Sequence, residues 1–203
     1  RQPQMCIRDR PLTDDCLSPY DNITARMLWG RMPIERATAL TYYHPGAYSS
    51  LLMYKLKYGN EPDIGVWFGE YMANSLMPYG VFDDIDMVIP LPIHKRRERE
   101  RGYNQSQEIA RGIGDISSIK VQNNIVERSR YTVSQTKLTH TDRTKNVKGA
   151  FTLLRPDAIR GKHVLLVDDI ITTGATIAAC ANELAKAEDV KISIMTVGRT
   201  HYI

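Results

Sequence analysis

Apolar residues recur at helical spacing over two early stretches, Gly46 to Tyr58 and Pro62 to Met77, where Ile64, Phe68, Met72 and Leu76 would line one stripe of a helix. The pattern changes after the turn-like Pro78-Tyr79-Gly80. From Met87-Val88-Ile89 onward, short β-branched runs alternate with helical segments. A helical pattern from Ser106 to Ile113 precedes strand-like Ile125-Val126, Phe151 to Leu154 and Val164 to Val167; a helix from about Ala175 to Ala187 and a run from Val190 to Val197 follow. This alternation predicts an α/β fold, a wound and mainly parallel sheet with flanking helices. Val164-Leu165-Leu166-Val167, apolar at every position, fits a strand buried on both faces. Ligands on such sheets bind beyond the carboxyl ends of the strands, so the residues after Val167 are where chemistry is to be sought.

Residues 1 to 20 are polar, broken by Pro3, Pro11 and Pro19, and show no period, so they are expected to contribute little to a core. The 203 residues then divide into an N-terminal extension over 1–45 and one main domain over 46–203. No apolar run approaches the roughly 18–20 residues of a membrane span, and no segment resembles a secretory signal. The expectation is a soluble, cytoplasmic protein without membrane insertion. Three unpatterned cysteines, Cys6, Cys16 and Cys180, imply no disulfide framework.

A net charge of +4 with pI ≈ 8.9 suits phosphate-rich ligands or nucleic acid. The charge is locally concentrated: residues 95 to 101 hold five cations against two carboxylates. Directly after the buried strand comes Asp168-Asp169-Ile170-Ile171-Thr172-Thr173-Gly174-Ala175-Thr176 and then an alanine-rich helix. Thr172, Thr173 and Thr176 offer hydroxyl donors, Gly174 permits close backbone approach, and the amides that open the helix at Ala175 and Thr176 carry a partial positive charge. That is a phosphate cradle. It lacks the spacing of a nucleotide-triphosphatase loop, and Gly112-Ile113-Gly114 has no third glycine for a dinucleotide fingerprint. An acidic pair beside such a cradle makes sense if one end of the ligand is a phosphate and the other presents hydroxyls. A sugar phosphate meets both conditions, with Asp168 and Asp169 accepting from its hydroxyls. The plainer reading is that Asp168 and Thr172 merely cap the helix.

The conjunction resembles the 5-phosphoribosyl-1-pyrophosphate (PRPP) motif of the type I phosphoribosyltransferases. Further motifs extend the likeness: Lys55-Leu56-Lys57-Tyr58, Pro90-Leu91-Pro92-Ile93-His94, Arg97, Arg101-Gly102-Tyr103-Asn104-Gln105, then Arg128, Gln135, Arg143, Asn146-Val147 and Gly149-Ala150-Phe151. This ordered set, over roughly residues 45 to 200, is similar to the competence protein F (ComF) family. The resemblance implies a type I phosphoribosyltransferase-like fold, PRPP as ligand, and displacement of its pyrophosphate by a nitrogen nucleophile. It implies Asp168 and Asp169 as the catalytic pair, Thr172 to Thr176 as the phosphate loop, and Mg²⁺ carried mainly by PRPP and in reach of the two acids. Arg97 and Arg101 would contact pyrophosphate. Residues 129 to 148 would act as a lid, with Arg128, Gln135, Arg143 and Asn146 as its candidate contacts. Members of the family usually begin with a zinc ribbon of paired C-x-x-C knuckles. Here only Cys16-Leu17-Ser18-Pro19 resembles a remnant, so no zinc is expected from this chain. The family name also suggests an alternative, a non-catalytic DNA-uptake module that binds single-stranded DNA and DNA-processing proteins. Residues 95 to 101 with Tyr103, Lys55, Lys57 and Tyr58 would supply its cations and stacking rings.

Overall fold

The computed structural model of the chain describes residues 13–44, 48–130 and 149–200. In chain order the elements are helix α1 (Ile23–Leu28), strand β1 (Arg36–Tyr43), helices α2 (Tyr48–Tyr58) and α3 (Asp63–Leu76), and strand β2 (Met87–Pro90). Helices α4 (Lys95–Arg101) and α5 (Gln105–Ser117) follow, then strands β3 (Val126–Arg128), β4 (Phe151–Leu153) and β5 (His163–Ile171), helix α6 (Ala175–Leu184) and strand β6 (Lys191–Thr200). The main sheet has the order β1-β6-β5-β2 with every neighbouring pair parallel, while β3 and β4 form a separate antiparallel pair.

Successive side chains of a strand point to opposite faces. In β5 this sends Val164 and Leu166 into one apolar cluster and Leu165 and Val167 into another. The first cluster is roofed by α1, α6 and the β3-β4 pair, through Leu28, Ile177, Ala181 and Phe151. The second is roofed by α2, α3 and α5, through Leu56, Phe68, Met72 and Ile109. The strand expected to be buried on both faces is thus sandwiched as its composition requires.

The boundary expected after residue 45 does not hold. Arg36–Tyr43 pair with Ser193–Thr200 as an outer strand of the main sheet. Residue 15, inside the stretch expected to add little to the core, is buried as well. Asp15 accepts from the Thr24 hydroxyl at 2.5 Å and from the Ala39 amide at 3.1 Å, and its carboxylate lies 3.8 Å from the buried Arg199 guanidinium. Burial pushes its carboxyl upward, countered by those same partners. A polar segment can join a core when it brings its own hydrogen-bond partners, which hydropathy alone does not reveal.

Helices α3 and α5 meet almost backbone to backbone. A Cβ on Gly69 would stand 2.0 Å from the Ile109 carbonyl oxygen, and one on Gly112 would stand 2.1 Å from the Val66 carbonyl oxygen. The two glycines face each other's helix, so neither has room for a methyl group. Gly112→Ala is expected to destabilise the protein by about 1–3 kcal/mol through overpacking, despite the better helix propensity of alanine. Urea unfolding of the two proteins checks this.

Candidate functional site

Strand β5 runs four residues past the apolar run, pairing Asp168 with Thr196, Ile170 with Gly198 and Ile171 with Arg199 on β6. The acidic pair therefore belongs to the strand and not to the loop after it. This fixes the backbone of Asp168 in the sheet ladder, with Asp169 the next residue of the same strand. The loop proper is Thr172 to Gly174. Gly174, at φ 72, is the N-cap of α6 and supplies no side-chain cap; Thr173 Oγ1 accepts from the Ala175 amide at 3.3 Å. Asp168 is engaged elsewhere, accepting from the Ser106 hydroxyl at 2.9 Å and from the Asp169 amide at 2.8 Å. The reading of Asp168 as a helix cap is not what the fold adopts.

Gly174 has a second reason beside the one expected. Its left-handed backbone suits glycine, and a Cβ there would stand 2.8 Å from Leu28 Cδ2 and 3.5 Å from Arg31 Nη1. The missing side chain makes room for α1 and for the segment that follows it. Arg31 donates from Nη1 to the Thr173 carbonyl, and Asn182 of α6 donates to the Arg31 carbonyl at 2.8 Å.

The segment between α4 and α5 can be read residue by residue. Gly102, at φ 85, ends α4 in the left-handed conformation. The Tyr103 hydroxyl donates to the Leu56 carbonyl of α2. Asn104 caps α5, its Oδ1 accepting from the Ser106 amide at 3.2 Å, while its Nδ2 donates to the Leu91 carbonyl just after β2 at 3.0 Å. Gln105 Oε1 accepts from Arg101 at 2.7 Å. Residues 101 to 105 thus tie α2, β2, α4 and α5 to one place.

That place is a cavity of about 370 Å³. Thr172, Thr173, Gly174, Ala175 and Thr176 line it together with Asp168 and Asp169. So do three arginines, Arg97 and Arg101 from α4 and Arg128 from the end of β3, and Lys57 and Tyr58 from the end of α2. Lys57 Nζ lies 2.7 Å from Asp169 Oδ2. Burial alone would lower the Lys57 pKa, but the charge of Asp169, with its hydrogen bond, more than offsets this and the value is raised. Arg128 shifts the other way, lowered by burial and by the neighbouring Arg97, and its guanidinium lies over the Phe151 ring at 5.5 Å. Arg101 lies over the Tyr58 ring at 5.4 Å. An acid pair, a hydroxyl-rich loop at a helix N-terminus and a set of guanidiniums thus converge on one opening.

The structure brings together Asp168, Asp169, the whole loop to Thr176, Arg97, Arg101 and Arg128. Gln135, Arg143 and Asn146 lie outside the described residues, as does Cys6; Cys16 is half-buried with a free thiol. Arg99 is exposed and does not line the cavity. Sequence reasoning gave no role at the site to Ser106, Gln105 or Arg31. It also treated Lys57 as a cation for nucleic acid when it is the partner of Asp169. For Ser106 a signal was present, because Asn104-Gln105-Ser106 directly before an amphipathic run is a helix start. Nothing in the sequence around Arg31 marked it.

Comparison with known proteins agrees with this geometry. The phosphoribosyl transferase domain family matches residues 98–200, half of the 203-residue chain. The chain belongs to that family. Its relatives include proteins named DNA utilization protein and competence protein. DNA utilization protein YhgH of Escherichia coli O157:H7 is 27% identical over 199 residues, covering 93% of this chain and 86% of the relative. Competence protein F of Haemophilus influenzae is 37% identical over 102 residues, covering 50% of this chain and 43% of the relative. Competence protein ComFC of Bacillus subtilis is 31% identical over 110 residues, covering 51% of this chain and 41% of the relative. Among solved structures, glutamine PRPP amidotransferase from B. subtilis, complexed with ADP and GMP, aligns with a TM-score of 0.45 at 19% identity, over 70% of this chain and 30% of that one. The described residues contain no helix long and apolar enough to cross a membrane.

Burial and the adjacent Asp169 push the Asp168 carboxyl up to about 7, against the opposing pull of the Asp169 amide, Lys57 and Ser106. A carboxyl raised above its unfolded value binds its proton more tightly in the folded state. The resulting stability is fully present below the ordinary carboxylate range and is lost as pH rises through about 7. Asp168→Asn, which cannot ionise, is therefore expected to make the ligand-free protein more stable than the parent at pH 8, with the gain vanishing toward pH 4. Denaturant titrations at the two pH values check the sign.

Proposed function

We propose that this protein binds PRPP with Mg²⁺ and transfers its phosphoribosyl group to a nitrogen nucleophile. A C1–N bond forms, the C1–O bond to pyrophosphate breaks, and positive charge develops on the ribose ring. The observation that carries this reading is the position of Asp168 and Asp169 in one cavity with the Thr172–Thr176 loop and with Arg97, Arg101 and Arg128. The loop would hold the 5-phosphate with hydroxyls and helix amides. The acid pair would accept hydrogen bonds from the ribose 2- and 3-hydroxyls, and the arginines would take the pyrophosphate by charge-assisted bonds. Lys57 on Asp169 and Ser106 on Asp168 hold the carboxylates in orientation until the hydroxyls arrive. The hard carboxylate oxygens suit Mg²⁺, which when bound neutralises pyrophosphate charge. Activity in the cytoplasm is part of the same proposal.

The test is calorimetry with PRPP and Mg²⁺. Asp168→Asn combined with Asp169→Asn is expected to weaken binding about 100-fold, the loss of two hydrogen bonds at roughly 1.4 kcal/mol each. Unchanged affinity in a folded double variant would rule the site out. A screen of nitrogenous bases for pyrophosphate release then separates transfer from binding alone.

A second reading has its own observation. Tyr54 and Tyr58 are exposed on α2 with ring centroids 5.0 Å apart, near Lys55 and close to α4, where Lys95, Arg96 and Arg99 face solvent. Such rings beside cations suit the bases and phosphates of a single strand, and relatives carry the names DNA utilization protein and competence protein. The Tyr103 hydroxyl is committed to Leu56 and Lys57 to Asp169, so Tyr54 and Tyr58 with the α4 cations would carry this role. DNA binding, if present, should weaken steeply with salt, and neutralising Arg96 and Arg99 should reduce the salt slope by about one or two. No single-strand affinity at low salt would remove this reading.

A further inference from the structure

Gln105 is the first residue of α5 and is 2% exposed, yet its Nε2 has no hydrogen-bond partner among the described residues. The other end of the amide is fixed, because Oε1 accepts from Arg101 Nη1 at 2.7 Å. A guanidinium has donors only, so the amide oxygen must face it and the NH₂ group must point away. A buried donor without an acceptor is costly in the folded state and is rare unless a ligand or an ion completes it. Gln105 lines the same cavity as Arg97, Arg101 and Arg128, and an acceptor entering among three guanidiniums is an anion.

The neighbours of Gln105 narrow the choice. Its amide oxygen holds Arg101, and the next residue, Ser106, donates its hydroxyl to Asp168 Oδ1 at 2.9 Å. Gln105 therefore stands where the arginine-lined side of the cavity meets the acid pair. For a phosphoribosyl ligand with its ribose hydroxyls on the acids, that junction is where C1 joins the leaving diphosphate.

We propose that Gln105 is a specificity-determining residue for a diphosphate group, its Nε2 donating to a diphosphate oxygen while its Oε1 holds Arg101 against the same group. The inference rests on the phosphoribosyl reading given above. It differs from a bracing role, in which Oε1 alone matters and the NH₂ group is incidental.

Three ligands and two substitutions separate these roles: Mg²⁺ with PRPP, Mg²⁺ with inorganic pyrophosphate, and ribose 5-phosphate, each titrated calorimetrically into the parent, Gln105→Met and Gln105→Glu. Gln105→Met removes the unpartnered donor together with the acceptor for Arg101, two effects of opposite sign, so the stability of the ligand-free variant should stay close to that of the parent. The variant should bind pyrophosphate and PRPP about 10-fold more weakly and ribose 5-phosphate within about 2-fold of the parent. Gln105→Glu keeps an acceptor for Arg101 but replaces the donor with a charge, and should weaken the two diphosphates further while sparing ribose 5-phosphate. Parent-like pyrophosphate affinity in Gln105→Glu would establish the bracing role and overturn the proposal. Equal losses for all three ligands, or a destabilised Gln105→Met with full pyrophosphate affinity, would overturn it too. A parent that binds none of the three would defeat the phosphoribosyl reading itself, an outcome distinct from a parent that binds all three and variants that match it.

Discussion

Val164 and Leu166 pack to one side of the sheet while Leu165 and Val167 pack to the other, so β5 is stable only when both faces are covered. Covering them brings α1 and α6 to one side and α2, α3 and α5 to the other. Past Val167 the same strand continues as Asp168, paired with Thr196 of β6, and then Asp169. The strand thus carries two carboxylates out of the apolar interior to the point where the ends of the covering helices gather. Placing charge at the edge of a core requires compensation, which comes from Lys57 on α2, Ser106 on α5 and the backbone amides of the strand itself.

The positive groups are graded by how they are held. Lys57 is an ion-pair partner of one acid, Arg101 is steadied by Gln105 and by the Tyr58 ring, and Arg128 sits over Phe151 beside Arg97. Burial lowers the Arg128 pKa and the neighbouring Arg97 lowers it further, as two like charges side by side in a partly buried place must. Their juxtaposition makes sense as a site prepared for an anion, where ligand charge removes a repulsion already present in the protein.

What could be read from the sequence followed from strong local patterns. The four-residue apolar run located the central strand, and the threonine-glycine loop before an alanine-rich helix located the cradle, because both depend on neighbours in the chain. The acids were identified but placed outside the strand, since two carboxylates break a hydropathic run while leaving its hydrogen-bonded ladder intact. Strand β1 and Asp15 were missed for a related reason. Arg36 and Thr41 look like surface residues until the Asp84 carboxylate and the Tyr42 carbonyl are available as partners. Ser106, Lys57 and Arg31 act at the site through contacts with residues 62, 112 and 142 positions away, separations invisible to any local window.

The contact of Gly69 with the Ile109 carbonyl, and of Gly112 with that of Val66, removes the compliant layer of side chains that usually separates packed helices. Helices α3 and α5 thereby behave as one plate, and the start of α5, with Asn104, Gln105 and Ser106, is mounted on its rim. The parts around it are fastened differently: α4 through Arg101 and Gln105, the end of α2 through Lys57 and Asp169, and the loop after β5 through Arg31 and Thr173. Each of these is a polar link that a competing charge can exchange, whereas the glycine seam cannot slip without a clash. Adjustment to an incoming molecule therefore falls on the pieces that clamp, while the rim against which they clamp keeps its shape.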